Sequence, residues 1–446
     1  MSGAGFEMKE LLRTEPKRSS VNQAILFIIP SIVVTVISII LFTQLTALTD
    51  QQRHIFSITI IAAIVLSLVG MAGMQLLIYR IIDDPGKDTD GTARRGTNIG
   101  IIYSIIFSII VTALVSPYFL NVLHFSLKDF FYFAYLLFLY SAIWIVVSAF
   151  WASERYKYPA IIFTFSYLAI FAFTYGAYVY NPAYAIAGYA IGTTVLLLLC
   201  LLALKIMFRK PDPSYKLSKM FTRLTKLIPQ NSAAIMFNIF FVLAIFVDKI
   251  IVWVYQGVIT GQGLSVTGPY TEGAFLGLIP MFSIATTAYF TRRTKSLVDN
   301  RYNGTFGEIV KGIEKYKQVY WTSMNAMLVI TIGLMVLVAS LVFFLVKDPE
   351  VLRILLTYSI GCIFFVVIIF NSTVLVIFGK SNISTYAVLA VIILELATIP
   401  LVSINVWYCA LGFLVGSFIG FLISFLSTIR LFSNYEYNMF GFLLKS

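Results

Sequence analysis

A few ionisable side chains lie inside long apolar segments of this chain, and they are its best candidates for chemistry. Asp248 and Lys249 are neighbours in one apolar run, and Glu395 lies in another. Glu272 lies near the start of a third run. A charge in hydrocarbon costs about 3 kcal/mol or more, so such residues face protein or water and mark functional sites. We therefore expect an ion, proton or substrate site around them.

The helix predicted over residues 231–256 has a polar stripe. At 100° per residue, its polar members lie within about 20° of one line along the helix, and Trp253 lies about 40° from that line. The stripe consists of Asn231, Asn238, Lys249 and Gln256. We expect it to face a central substrate pathway. Two alternatives remain open: Lys249 reaches the membrane interface instead, and Asn231 serves only as a helix N-cap.

Asp248 and Glu395 are candidates for ion or proton coupling. Asp248 points about 100° away from Lys249 around the helix, so it should not face Lys249. We expect it to pack against another helix or to pair with that helix's polar groups. Glu395 lies about 18 Å along its own segment at 1.5 Å per residue, near the middle of a membrane. Its role is either a proton or cation site or a structural hydrogen bond.

Twelve apolar segments position these residues. The chain has 59% hydrophobic and only 12% charged residues, whereas a soluble domain carries about 25% charged residues. Segments of about 20 apolar residues span a bilayer as helices. The predicted spans are 22–46, 55–80, 97–118, 130–152, 158–180, 183–208, 231–256, 270–290, 319–346, 351–378, 383–403 and 407–432.

The basic residues predict the orientation of the spans. Of 32 Lys and Arg residues, four lie in segments on one side of the membrane: Arg53, Lys128, Lys347 and Arg353. Lys249 lies inside a span, and all the others lie on the opposite side. Basic loops stay cytoplasmic, so both termini are predicted to be cytoplasmic in a bacterial plasma membrane. The net charge of +12 therefore does not predict nucleic-acid binding.

Matching loop patterns divide the spans into two sets of six. We predict a cytoplasmic N-terminal segment (1–21), a six-helix lobe (22–208), a basic linker (209–230) and a second six-helix lobe (231–446). An even number of spans gives both lobes the same orientation, as in transporters with parallel repeats. The expected fold is all-α, with two lobes around a central cavity. The alternative is a membrane bundle without a pathway.

Three prolines and one basic loop are predicted to serve movement and membrane contact. Pro30, Pro280 and Pro400 lie inside predicted spans, where proline frees backbone carbonyls and permits gating kinks. The loop 291–318 combines basic residues with apolar residues at helical spacing. It predicts an amphipathic helix at the interface that binds anionic lipid or docks a cytoplasmic enzyme.

The sequence predicts neither enzymatic chemistry nor a cofactor. It has no glycine-rich phosphate loop and no nucleophile triad, and its three cysteines, at positions 200, 362 and 409, lack metal-ligand spacing. These cysteines are predicted to be small packing residues. Aromatic residues reach 16%, which fits either a sugar-contacting conduit or aromatic belts at the membrane interfaces.

Two segments resemble the PelG family of exopolysaccharide transporters. One is the N-terminal Gly-Ala-Gly-Phe-Glu-Met-Lys-Glu-Leu-Leu at residues 3–12. The other runs from Phe246-Val247-Asp248-Lys249 through Trp253 to Gly268-Pro269-Tyr270 and Ile279-Pro280. The resemblance implies the multidrug/oligosaccharidyl-lipid/polysaccharide (MOP) flippase superfamily and a MATE-like fold. The resemblance also implies that Asp248 and Lys249 correspond to an Asp-Lys pair of the family. It further implies that Tyr270 belongs to the site.

The leading functional hypothesis is export of an amino-sugar exopolysaccharide alongside a cytoplasmic glycosyltransferase and other membrane subunits of a synthase complex. The expected substrate pathway comprises Asn231, Asn238, Lys249, Trp253, Gln256, Tyr270 and Glu272. Three alternatives remain: a flippase for lipid-linked oligosaccharide, a cation-coupled drug antiporter, and a structural anchor for a glycosyltransferase.

Overall fold

The structure is a computed structural model that describes residues 47–82, 89–153, 157–208, 217–266, 268–284, 306–346 and 348–433, with isolated positions elsewhere. Its regular elements in these ranges are all helical. Ten helices are long and apolar enough to cross a membrane. The surfaces of these helices expose many large apolar side chains, which is the surface that lipid requires. The chain is therefore a multi-pass membrane protein.

The described residues of the first half form five long helices, which we call the N-terminal bundle. They are α1 (Asp50–Ile82), α2 (Thr89–Pro117), α3 (Leu127–Ala152), α4 (Lys157–Tyr180) and α5 (Ala185–Met207). A single π-helical turn, Tyr118–Val122, follows Pro117 at the end of α2. The Ser126 hydroxyl then accepts the backbone N–H of Asp129 and caps α3.

The second half begins with a short helix in the predicted linker, α6 (Leu217–Gln230). The following helices, α7–α12, form the C-terminal bundle. They are α7 (Ser232–Ile259), α8 (Pro269–Gly277), α9 (Phe306–Leu345), α10 (Pro349–Ile377), α11 (Ser381–Leu396) and α12 (Trp407–Ser433). Two 3₁₀ segments, Ile279–Ile284 and Ile399–Leu401, follow α8 and α11.

One of the twelve predicted spans lies outside the described residues, and another is not a continuous helix. The span 22–46 and Pro30 lie outside the described residues, apart from isolated positions. The predicted continuous helix over 270–290 is wrong, because α8 ends at Gly277 and a 3₁₀ segment containing Pro280 follows. Proline lacks the N–H that would continue the α-helical ladder.

The basic loop 291–318 also differs from its prediction. Its second part is not a separate interfacial helix, because α9 runs without a break from Phe306 to Leu345, about 60 Å at 1.5 Å per residue. Tyr316, an apolar residue of this loop, is buried and packs on Phe290, Phe378 and Phe432. The side chains of residues 306–313 lie outside the described ones.

Each bundle is organised around one buried helix. In the N-terminal bundle α3 packs against α1, α2 and α5, and in the C-terminal bundle α10 packs against α8, α9, α11 and α12. Among the described spans, α3 and α10 are the most buried of their bundles. Each is the fourth predicted span of its half, which is the correspondence that a parallel repeat requires.

Small residues bring α11 and α12 into close contact. Gly412, Gly416 and Gly420 lie on one face of α12 at four-residue spacing. A Cβ at Gly416 would lie 2.9 Å from the Val391 Cα atom on α11, so only glycine permits this approach. Such spacing is typical of tightly packed membrane helices. The contact fixes the backbone of α11 one turn before Glu395.

We expect Gly416→Ile to push α11 away from α12. An added side chain has no space at this contact, and overpacking of this kind costs about 1–3 kcal/mol. The thermal unfolding temperature of the purified protein in detergent should therefore fall. The matched control is Gly333→Ile on α9, where an added Cβ meets no atom within 4 Å. Equal unfolding temperatures for the two variants would contradict the prediction.

The two bundles meet along α1 and α7, a contact that we call the seam. A Cβ at Gly73 of α1 would lie 3.0 Å from the Ile235 Cγ2 atom of α7. Near the other end of α1, the His54 side chain hydrogen-bonds to the backbone of Gln262. Tyr118 follows α2, and its hydroxyl donates to the Gly263 carbonyl at 3.0 Å. The described residues therefore join the bundles at both ends of the seam.

Candidate functional site

The neighbours Asp248 and Lys249 form a buried ion pair in the middle of α7. Both side chains are 0% exposed, and the Lys249 Nζ atom lies 3.3 Å from Asp248 Oδ1. The prediction that Asp248 does not face Lys249 is therefore wrong, whereas the expected pairing of Asp248 with polar groups of another helix is found at Tyr270 and Tyr358. The flexible lysine stem folds back along the helix, so that its ammonium reaches the Ile245 carbonyl one turn earlier at 2.7 Å.

Two tyrosines complete the hydrogen bonding of this pair. The Tyr270 hydroxyl, on α8, donates to Asp248 Oδ2 at 2.5 Å. The Tyr358 hydroxyl, on α10, donates to Asp248 Oδ1 at 2.9 Å and accepts from Lys249 Nζ at 2.5 Å. We call Asp248, Lys249, Tyr270 and Tyr358 the charge network. It joins three helices of the C-terminal bundle.

The charge network satisfies the ammonium group completely. An ammonium has three N–H donors, and the three acceptors are the Ile245 carbonyl, Asp248 Oδ1 and the Tyr358 hydroxyl. The aspartate accepts from two hydroxyls as well. A buried ion pair is tolerated only with such additional hydrogen bonds, because both charges have lost their hydration.

Glu395 lies beside the charge network but is not bonded to it. Its side chain is 0% exposed, and it interacts electrostatically with both Asp248 and Lys249. Within the described part of the chain, neither carboxyl oxygen has a hydrogen-bond partner. The alternative of a structural hydrogen bond for this side chain therefore finds no partner there. An ionised carboxylate in such a place costs several kcal/mol.

Glu395 is held by the end of its own helix. The helix α11 ends at Leu396, and the Thr398 hydroxyl donates to the Glu395 backbone carbonyl at 2.6 Å. A Cβ at Gly412 of α12 would lie 3.3 Å from the Glu395 Cα atom. Besides Glu395 and the members of the network, the titratable groups near it in the described residues are Cys362 of α10 and Cys409 of α12.

The predicted polar stripe of α7 divides into a buried and a partly exposed set. Lys249 is buried inside the C-terminal bundle, so the expectation that its ammonium faces open water does not hold in this structure. Asn231, Asn238 and Gln256 remain partly exposed. Asn231 does not cap α7 with its side chain; instead its amide donates back to the Leu227 carbonyl of α6 at 3.0 Å.

Trp253, Tyr270 and Glu272 are placed by α7 and α8. Trp253 is buried, and its indole N–H donates to the Thr271 hydroxyl at 2.8 Å. Tyr270 is buried in the charge network, whereas Glu272 is exposed in the first turn of α8. The structure therefore brings Tyr270 to Asp248 and Lys249 but leaves Glu272 at the surface.

The prolines do not kink continuous helices where the structure describes them. Pro280 lies in the 3₁₀ segment after α8, and Pro400 lies in the one after α11. Both segments end a helix, which corrects the prediction of kinks within spans. The three cysteines are buried and free, as the sequence predicts for packing residues.

Tyr358 is the site residue that the sequence does not reveal. It is separated from Asp248 by 110 positions, and its helix has no charged neighbour at that depth. Its ring stacks on Phe413 of α12, with centroids 4.3 Å apart and planes 7° apart. The Lys249 ammonium also lies 4.1 Å from the ring centroid, within the range of a cation–π contact. No pattern within α10 distinguishes this tyrosine from packing tyrosines.

A cavity opens near the charge network at the start of α10. Its volume is about 350 Å³, and it is lined by Pro349, Glu350, Arg353, Ile354, Asn405 and Trp407. Ile354 precedes Tyr358 by four residues, which places the hydroxyl-bearing residue one turn deeper, about 5.4 Å along the helix. The Trp407 indole donates to the Thr357 hydroxyl at 2.9 Å. One residue of the cavity lining, Ile354, therefore lies about one helical turn from Tyr358 of the network.

Comparison with protein families gives one assignment for almost the whole sequence. Residues 1–440 match the family profile PelG, described as an exopolysaccharide exporter (EPS-E). No curated protein matches the chain by sequence.

Solved structures share the fold over the full length of the chain. A eukaryotic MATE transporter, AtDTX14, superimposes with a TM-score of 0.70 at 14% identity and covers 95% of this chain and 98% of its own. An outward-facing multidrug resistance MATE transporter of the MOP superfamily gives 0.67 at 13% identity, covering 95% and 97%. A MOP superfamily transporter from Pyrococcus furiosus gives 0.66 at 14%, covering 95% and 98%. The fold is that of the MATE transporters.

Proposed function

This chain belongs to the PelG family of exopolysaccharide exporters, and from that membership we propose that it exports an amino-sugar exopolysaccharide across a bacterial cytoplasmic membrane. The observation that carries the proposal is the family match over residues 1–440. The relatives of known fold are transporters as well. The chain is then a membrane transporter and not an enzyme, and it needs no cofactor of its own.

The polymer pathway would run along the seam between the two bundles. Asn238 lies on α7 three residues after Ile235, whose side chain packs close to Gly73 of α1. It remains partly exposed, as does Gln256 nearer the other end of α7. Amide side chains both donate and accept hydrogen bonds, so they suit sugar hydroxyls. The seam must separate at each end in turn for a sugar chain to pass.

A proton that binds to Glu395 and leaves it again would couple polymer export to the proton gradient across the membrane. A neutral carboxylic acid suits a buried carboxyl without a partner, whereas an ionised one would repel Asp248. The cavity next to Arg353 and Trp407 would give protons a route to this depth. Loss of the proton would leave an extra negative charge in the C-terminal bundle, which the charge network could accommodate only by rearranging.

The orientation and partners follow the sequence prediction. The basic loops and both termini would lie in the cytoplasm, where the start of α9 meets the membrane surface. Basic residues there suit anionic lipid headgroups and a cytoplasmic glycosyltransferase that synthesises the polymer, together with further membrane subunits of a synthase complex. The proposed lobes, 22–208 and 231–446, would contain the N-terminal bundle and the C-terminal bundle, respectively.

The experiment that tests export is an in-frame deletion of the gene in its own organism. We expect secreted polysaccharide, measured by sugar analysis of culture supernatants, to disappear and to return when the wild-type chain is supplied. Glycosyltransferase in membrane fractions should remain at its normal level, which excludes a mere anchoring role. Accumulation of lipid-linked oligosaccharide in the deletion strain would indicate a flippase instead. Unchanged secretion would overturn the proposal.

A second candidate is a cation-coupled drug antiporter. It is favoured by the fold, because structures of similar fold include a multidrug resistance MATE transporter, and by a buried carboxyl without a partner in the described residues. Efflux of a fluorescent cationic dye from cells with and without the gene tests it. Faster dye accumulation in the deletion strain, with normal polysaccharide secretion, would favour this candidate over the first.

A further inference from the structure

The Lys249 ammonium occupies a position built like a cation site. Three oxygens surround its Nζ atom: the Ile245 carbonyl at 2.7 Å, the Tyr358 hydroxyl at 2.5 Å and Asp248 Oδ1 at 3.3 Å. Carbonyl, hydroxyl and carboxylate oxygens are also the ligands that hard metal cations prefer. The same oxygens would hold a sodium ion if the ammonium were absent.

From this geometry we infer that Lys249 is a resident cation that takes the place of a coupling metal ion, so that the transporter does not bind sodium at this site. The tethered ammonium already neutralises Asp248. A sodium ion entering beside it would add a second positive charge within a few ångströms and would find the acceptor oxygens used. Lys249 therefore acts as a specificity residue: it leaves the proton on Glu395 as the exchangeable cation.

The surroundings of the ammonium support this assignment. Each of the three N–H donors is used, so Lys249 keeps no donor for a sugar or a pyrophosphate in this conformation. It is fully buried among helices of one bundle, not directed into the seam. The nearest further carboxyl, Glu395, interacts with it electrostatically and would help to hold a cation that replaced it.

Removal of the ammonium should create the sodium site that it blocks. Lys249→Ala leaves the three oxygens and a space of the size of the lysine stem. We expect the thermal unfolding temperature of the purified variant to rise by several degrees in sodium chloride relative to N-methyl-D-glucamine chloride at equal ionic strength, because a ligand that binds only the folded state stabilises it. The wild-type protein should unfold at the same temperature in both salts.

The double variant Lys249→Ala/Asp248→Asn is the matched control, because it removes the charged oxygen ligand of the proposed site, and it should lose most of the sodium response. A sodium-specific rise in the wild-type protein would overturn the inference on its own, even if the alanine variant does not fold. A folded Lys249→Ala protein without any sodium response would overturn it too. The inference deepens the proposed function, but the test contains no polymer, so its failure leaves the export proposal intact, and the deletion experiment decides export separately.

Discussion

Asp248→Leu should destabilise this protein more than any other single carboxylate replacement in the described helices. The change leaves the Lys249 ammonium 0% exposed without its counter-ion and removes the acceptor of the two tyrosine hydroxyls. Breaking a buried ion pair in this way costs about 3–5 kcal/mol, a large part of a typical total stability of about 5–15 kcal/mol. The yield of monodisperse protein by size-exclusion chromatography should collapse.

Two comparison variants show whether the unpaired charge is the cause. Asp248→Leu combined with Lys249→Met removes both charges and should recover much of the lost yield, since apolar replacement of a whole buried pair is often close to neutral. Glu314→Leu also replaces a carboxylate by leucine, but on the exposed surface of α9, and it should have little effect. If the double variant is no more stable than Asp248→Leu alone, the ion pair is not the origin of the loss.

Glu395→Gln should abolish export without lowering stability. Glutamine has nearly the size of a protonated glutamate and is neutral, so the C-terminal bundle packs as before. It cannot release a proton, however, and the coupling that we propose would stop. Secreted polysaccharide in the complemented deletion strain should fall to the level of the empty vector, while the thermal unfolding temperature of the purified variant stays at or above the wild-type value.

The control for this variant is Glu314→Gln, which makes the same change on the exposed surface of α9 and should export normally. Normal secretion with Glu395→Gln would remove Glu395 from the coupling mechanism. A marked fall in unfolding temperature would instead indicate a structural role for the carboxyl. Export by the wild-type chain should also stop when a protonophore collapses the proton gradient.

The structure changes how the two charged neighbours of α7 are understood. Helical geometry places their Cβ atoms about 100° apart, which led to the prediction of separate partners. The lysine side chain has four carbon atoms between its backbone and its ammonium group. It can therefore fold back along the helix, and the ammonium donates to the Ile245 carbonyl and to Asp248 Oδ1. A helical wheel gives the direction of a Cβ atom, but not the final position of a long side chain.

The sequence by itself determined the class of the protein and the depth of its charged residues. Hydropathy alone predicts helices that span a membrane, because the backbone in lipid must satisfy its own hydrogen bonds, and ten described helices qualify. The apolar neighbours of Asp248, Lys249 and Glu395 likewise place these residues inside predicted membrane-spanning helices, but they do not determine which of the side chains are buried. These properties are local, since they depend on windows of about twenty residues.

Only the tertiary structure decided which groups meet at the site. The phenol of Tyr358 reaches Asp248 from 110 residues away, and the glycines of α12 decide how closely Glu395 approaches the network. The helix break after α8 is a local effect near Pro280, where the apolar run predicts a kink within one continuous span. Contacts between distant helices depend on the packing of whole bundles. Hydropathy and periodicity along a single sequence do not show which helices pack together.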